Sequence, residues 1–198
     1  MITKPQNWEN VQAMTDRAKL PLGAYVCKVL KATVEGNQYG EQLLLGFDIL
    51  EGEHKDYFRQ EFNNNQNEGK KWKGILRLWL PKNNGDEKDE ITKRILKGMV
   101  TSFEKSNPGY TFNWDEQSLV GKTVGILFRN EEWEYNGKTG WAVRPFRAIS
   151  ANSVRNGDFT LPNDKPLANK SSTGDANDTA FIGQQSGYTP VEIDELPF

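Results

Sequence analysis

Between Ile91 and Phe103 apolar side chains recur every fourth residue, at Ile91, Ile95, Met99 and Phe103, with Leu96 and Val100 beside them. That spacing lines them along one side of an α-helix. Asp86 or Asp89 stands where an N-terminal cap belongs, and Asn107-Pro108-Gly109 ends the segment. It is the one helix the sequence predicts, and the runs around it alternate as strands do. Ahead of it, Tyr25, Cys27, Val29 and Lys31 share one face of a strand, with Val26, Lys28 and Leu30 on the other. The turn residues Gly36-Asn37-Gln38-Tyr39-Gly40 lead into a second apolar run at 42–50. Residues 57–62 and 75–80 read as two more strands, separated by the polar stretch 63–71. Behind the helix, runs at 119–133 and 140–149 are joined by Tyr135-Asn136-Gly137-Lys138-Thr139. Asn-Gly tolerates positive φ at both central positions of a tight hairpin turn, which makes it a strong hairpin signal.

Several strands, one helix and a hairpin place the chain in the all-β to α+β range. The order suits an OB-fold-like β-barrel with one helix, since that barrel commonly carries its helix between the third and fourth strands. On this reading the run at 75–80 either continues strand three or is an insertion. An α+β sheet of another topology is the alternative.

Hydrophobic residues make up 36% of the chain, below the usual globular share, so part of it is expected to lie outside a packed core. Residues 151–198 hold three basic side chains (Arg155, Lys165, Lys170) against seven acidic ones (Asp158, Asp164, Asp175, Asp178, Glu192, Asp194, Glu195), a net −4 that leaves +2 for residues 1–150. The stretch 163–190 is rich in Asn, Ser, Thr, Gly, Asp and Gln and is expected to be disordered. The predicted organisation is an N-terminal arm at 1–20, a domain at 21–150, a flexible linker at 151–190 and an acidic tip at 191–198. A total charge of −2 excludes global attraction to nucleic acid, so any such affinity must be local. The single cysteine, Cys27, excludes an intramolecular disulfide and fits a reducing compartment. The opening residues lack the apolar core of a signal peptide, and no run approaches the roughly 18 apolar residues of a spanning helix. A soluble cytoplasmic protein without membrane contact is expected.

The C-terminal residues Asp194-Glu195-Leu196-Pro197-Phe198 have a chemistry suited to docking. Phe198 can fill an apolar pocket while its α-carboxylate pairs with a basic group at the mouth. Pro197 lowers the entropy lost on docking, and the carboxylates steer the tip toward a basic rim. This ending resembles that of bacterial single-stranded DNA-binding proteins, in which an acidic stretch, an aliphatic residue, Pro and Phe follow a flexible linker. Leucine stands where isoleucine is usual, and Ile193 interrupts the acidic run. The resemblance implies recruitment of replication, recombination and repair proteins. In the folded part, Leu20-Pro21-Leu22-Gly23-Ala24-Tyr25-Val26 and Phe47-Asp48-Ile49-Leu50-Glu51-Gly52 are similar to proteins of phage and prophage recombination or replication modules of Gram-positive bacteria. Several of those are thought to act as single-stranded DNA-binding proteins in a bacterial host cell.

Aromatic residues interleave with basic ones in three places. Gly69-Lys70-Lys71-Trp72-Lys73-Gly74 is a basic loop around a tryptophan. Arg77 and Trp79 share a strand face opposite Leu76, Leu78 and Leu80. The final hairpin carries Arg129, Trp133, Tyr135, Lys138, Trp141, Arg144 and Arg147. Single strands bind where bases stack on aromatics and phosphates meet Lys and Arg. The candidate nucleic-acid residues are therefore Tyr39, Lys70, Lys71, Trp72, Lys73, Arg77, Trp79, Arg129, Tyr135, Lys138, Trp141 and Arg144, with Trp72 and Tyr135 favoured because their neighbours are polar or basic. Packing is the competing explanation for each aromatic.

No catalytic constellation emerges, and neither a metal nor a cofactor is expected. Gly121-Lys122-Thr123 and Gly137-Lys138-Thr139 end like a phosphate-binding loop, but Glu116 and Glu132 occupy the position of the required earlier glycine. His54, the single histidine, reads as a solvated loop residue. The expectation is a non-enzymatic protein that binds single-stranded DNA without sequence specificity, and self-association is open to it. The alternative is an adaptor or decoy without DNA affinity that uses the tip to occupy host partner pockets.

Overall fold

The computed structural model describes residues 2–10 and 19–167. The docking tip Asp194–Phe198 and most of the linker lie outside the described residues. Five strands, β1 (Ala24–Asn37), β2 (Gly40–Ile49), β3 (Ile75–Trp79), β4 (Thr123–Tyr135) and β5 (Lys138–Ile149), pair antiparallel in the order β3-β2-β1-β4-β5. Three helices accompany them: α1 (Tyr57–Asn64), α2 (Glu87–Ser106) and α3 (Ala151–Arg155). The fold is thus α+β, an open antiparallel sheet with α2 between β3 and β4. Among the described residues no helix is long and apolar enough to cross a membrane.

The inner face of the sheet changes parity once. Cys27 and Val29 are buried, but the pairing with β2 shifts between Val29 and Lys31, leaving Leu30 as an extra residue. Such a bulge reverses which alternate residues face inward. Ala32, not Lys31, therefore continues the inner face, and Lys31 pairs with Gly46 on the outer one. Phe47 and Phe128 project inward from β2 and β4 and meet the ring of Phe58 at centroid distances of 5.4 and 6.4 Å.

Phe58 belongs to a helix where the sequence suggested a strand. Asp48 on β2 accepts the N–H groups of Phe58 and Arg59, each at 3.0 Å, and so satisfies the start of α1 from another element. Burial pushes the Asp48 carboxyl up against the pull of these bonds. With 57–64 helical, the run at 75–79 is simply the third strand, and no extra strand needs placing.

α2 begins where expected, with the Asp86 carboxylate accepting the Asp89 N–H at 2.7 Å. Its buried face is Thr92, Met99, Val100, Ser102 and Phe103, while Ile95 is 41% exposed. A spacing of four overshoots the 3.6-residue turn, so a strict four-residue row drifts off the buried side. Asn107 fastens the helix end to β4 by giving an N–H to Thr123 O (2.7 Å) and accepting the Thr123 N–H (3.0 Å).

The packed chain also runs past the expected boundary at 150. Ala151 is fully buried and its N–H donates to Ser106 Oγ. Val154 covers Gly125, where an added Cβ would lie 2.5 Å from its Cγ2. Lys165 then pairs in parallel with β4, donating to Asn130 O and accepting from Glu132 N, each at 2.9 Å. Residues 151–167 are thus structure rather than linker. His54 lies in the turn before α1 as a loop residue, half-buried rather than fully solvated, with its ring edge-on to Tyr25 at 5.7 Å.

Candidate nucleic-acid interface

Cross-strand partners in a sheet point to the same side, so the register assigns faces. Arg77 pairs with Leu44 and Trp79 with Gln42, while the buried pairs Leu43–Leu78 and Leu45–Leu76 face inward. Arg77 and Trp79 are accordingly on the outer face, as the alternation predicted. Gly40 (φ 141) lies under Trp79 and Lys82; an added Cβ would sit 3.0 Å from Lys82 Cε and 3.8 Å from the indole of Trp79. Beside it, Tyr39 is exposed at the β1–β2 turn, its N–H held by Asn37 Oδ1 at 2.8 Å. Tyr39, Trp79 and Arg77, with Lys82 and the outer-face Lys31, make one aromatic-basic cluster.

A second forms on the β4–β5 hairpin, whose turn has the expected positive φ at Asn136 (50) and Gly137 (71). Arg129 pairs with Arg144, Glu131 with Ala142, Trp133 with Gly140 and Tyr135 with Lys138, all on one face. Gly140 is required there: a Cβ would come within 2.7 Å of the Trp133 ring, so the indole lies against the strand at Gly140 and is 36% exposed. Tyr135 is 72% exposed beyond it. The guanidinium of Arg129 stacks on Phe146 at 4.2 Å and donates to Glu131 at 2.8 Å, and Arg147 reaches the same ring at 5.6 Å. Nε of Arg129 is buried without a partner.

Glu132 and Glu134 alternate to the other side of this hairpin. So does Trp141, which pairs with Glu132 and does not join Trp133 and Tyr135. Because β4 runs antiparallel to β1, the two hairpins extend toward opposite ends of the sheet. The clusters therefore mark two ends of a face rather than one spot.

The basic loop is a correction. Trp72 is 4% exposed, its indole N–H donates to Phe47 O and Gly74 O at 3.1 Å each, and its ring packs on Phe58 and Phe62. A ring enclosed in this way cannot stack on a base. Lys73 is ion-paired with Glu61, and Lys70 sits over the Phe62 ring at 4.6 Å. Both lysines are thus tied to α1, and Lys71 is half-buried next to Trp72.

Sequence reasoning missed Lys82, Phe146 and Trp114. Lys82 follows a proline in a polar stretch, and Phe146 falls at the β4–β5 register shift, where alternation fails. Trp114, in an irregular loop, had no pattern to flag it. Among the described residues no group of three or more His, Cys, Asp or Glu converges as metal ligands would. No protein-family model matches the chain, and no curated protein matches it in sequence.

Proposed function

We propose that this chain binds single-stranded DNA without sequence specificity across the outer face of its sheet, and recruits replication or recombination proteins through its C-terminal tip. The observation that carries the DNA reading is the β4–β5 face. Arg129 and Arg144 are cross-strand partners on that face, with Arg147 close by. Of the acidic side chains on the hairpin only Glu131 shares their face, and it is engaged with Arg129. Phosphates of a single strand suit these arginines, and the partly exposed ring of Trp133 beside them suits a base. Trp79, Arg77, Lys82 and Tyr39 extend the same chemistry to the other end of the face.

The sheet order supports an OB-like barrel as the scaffold. A barrel of that kind would close by bringing β3 beside β5, and Cα atoms of these two strands lie within 8 Å of each other. The recruiting role rests on the chemistry of Leu196-Pro197-Phe198 and on its resemblance to the single-stranded DNA-binding proteins.

The test is a titration with oligo-dT, followed by tryptophan fluorescence. Quenching is expected at low salt, with strong weakening as salt rises from about 50 to 200 mM. An unchanged spectrum at low salt with micromolar oligomer sinks the DNA reading. Removing residues 190–198 should abolish protein docking and leave the DNA titration intact; a chain that docks proteins but never quenches is an adaptor.

A further inference from the structure

The β4–β5 hairpin outruns the sheet that carries it. β1 follows β4 only from the pair Lys28–Thr123 to the pair Ala24–Leu127, and the last backbone bond from that side runs from Phe128 N–H to Gly23 O at 2.9 Å. Residues 129–135 and their partners at 138–144 go on as a ribbon of two strands. Such a ribbon is marginally stable in water by itself. Val143, at its base, packs against the core, whereas Trp133, Tyr135 and Trp141 farther out are exposed. Yet this ribbon has to present Arg129, Trp133 and Arg144 together.

Next to Val143 a short third strand joins it, supplied by the chain beyond α3. Lys165 N–H donates to Asn130 O and Lys165 O accepts the Glu132 N–H, each at 2.9 Å, in a parallel bridge opposite Glu131. The flanking residues fasten it. Asn130 Nδ2 donates to Asp164 Oδ1 at 3.0 Å, and Leu167 N–H donates to Glu132 Oε2 at 3.1 Å. Lys165 Nζ comes to 4.0 Å from the Glu131 carboxylate, which also holds Arg129. The local sequence suits this pairing. A residue before proline is driven toward extended backbone, so Pro166 prepares Lys165 for the bridge. Lys165 spends both its backbone groups on β4, so position 166 faces away from it. Proline there gives up a donor that β4 does not use, and denies that donor to any further strand.

We propose that residues 164–167 are a positioning strap for the binding hairpin. By making the ribbon three-stranded at Glu131, they hold Arg129, Trp133 and Arg144 in the arrangement that a single strand of DNA meets. This rests on the DNA reading and adds what prepares the site. A hairpin ordered in advance loses less freedom when its ligand binds.

Two substitutions in the full chain separate the strap's backbone from its charge. Lys165→Pro removes the N–H given to Asn130 together with the ammonium, whereas Lys165→Gln removes the ammonium alone. Amide exchange followed by NMR should quicken at Glu132 and through the ribbon in Lys165→Pro, and match the wild type in Lys165→Gln, with β1 and β2 unchanged in both. Affinity for oligo-dT should be weaker in Lys165→Pro than in Lys165→Gln by roughly tenfold, the cost of ordering a loosened ribbon on binding. Equal affinities in the two variants overturn the proposal, as does a ribbon that exchanges no faster in Lys165→Pro. Faster exchange throughout β1 and β2 also overturns it, by making residue 165 a support of the whole fold. Absence of quenching in the wild type is the separate failure of the DNA reading, and the exchange pattern still decides whether the strap orders the ribbon.

Discussion

The loop at 69–74 and the β4–β5 hairpin have the same composition, a tryptophan set among basic residues, yet the fold uses them in opposite ways. In the loop the indole turns inward and spends its N–H on two carbonyls, and two of the lysines are tied to α1. In the hairpin the indole lies on the outside of a strand over a glycine, and two arginines face each other beside it. The difference comes from what each tryptophan can reach. Trp72 has Phe58, Phe62 and two carbonyl oxygens within range, whereas Trp133 is on the β4–β5 hairpin and lies against Gly140, partly exposed. Neighbouring charge does not decide whether an aromatic is a binding group; the presence of a pocket that satisfies its N–H does.

The largest effect should come from breaking the inward member. Trp72→Ala removes a core ring and should cost about 3–5 kcal/mol in a denaturant titration. Trp72→Phe keeps much of the packing but leaves Phe47 O and Gly74 O without the indole donor, a loss of about 1–3 kcal/mol. Oligo-dT affinity per folded molecule should be unchanged in both. A loss of affinity with stability intact would erase the contrast between the two segments. Trp133→Ala is expected to behave in the reverse way. Oligo-dT affinity should fall by about 1–3 kcal/mol, as for a stacked base, while the unfolding midpoint hardly moves. Gly140→Val sharpens the point by lifting the indole off the strand without deleting it. Its overpacking should cost about 1–3 kcal/mol of stability and change the Trp133 emission.

What the sequence made legible follows from how local each signal is. α2 and the Asn136-Gly137 turn were readable because helix period, cap and turn chemistry lie within a few residues of one another. α1 was not, because its N-terminal N–H groups are satisfied by Asp48, ten residues from Phe58 and on another strand. Six residues reading Tyr-Phe-Arg-Gln-Glu-Phe suit a strand or a helix equally. The bulge at Leu30 and the burial of Ala151 are likewise set by β2 and by Ser106, partners that no window of the sequence contains. Among site residues, Arg77 and Trp79 were assignable to one face because strand alternation carries the face with it. Trp141 shares that alternation, and its even-numbered partner Glu132 shows it to be on the opposite side from Trp133.

Two smaller effects bear on the charges alone. Arg144→Gln removes one of the opposed pair at a partly exposed position, so stability should change by less than about 0.5 kcal/mol. If the pair serves phosphates, the slope of log affinity against log salt should become shallower by about 0.7, the value of one contact to a single strand. The smallest effect belongs to Lys73→Gln. Lys73 is exposed but already paired with Glu61, and breaking an exposed pair changes stability by roughly 0–1 kcal/mol. Its salt slope for oligo-dT should match that of the wild type. A slope reduced as much as in Arg144→Gln would mean that a phosphate displaces Glu61, and the loop would rejoin the DNA-binding face despite its buried tryptophan. Equal slopes would leave the hairpin as the basic segment that DNA reads, and would fit a loop whose lysines meet carboxylates.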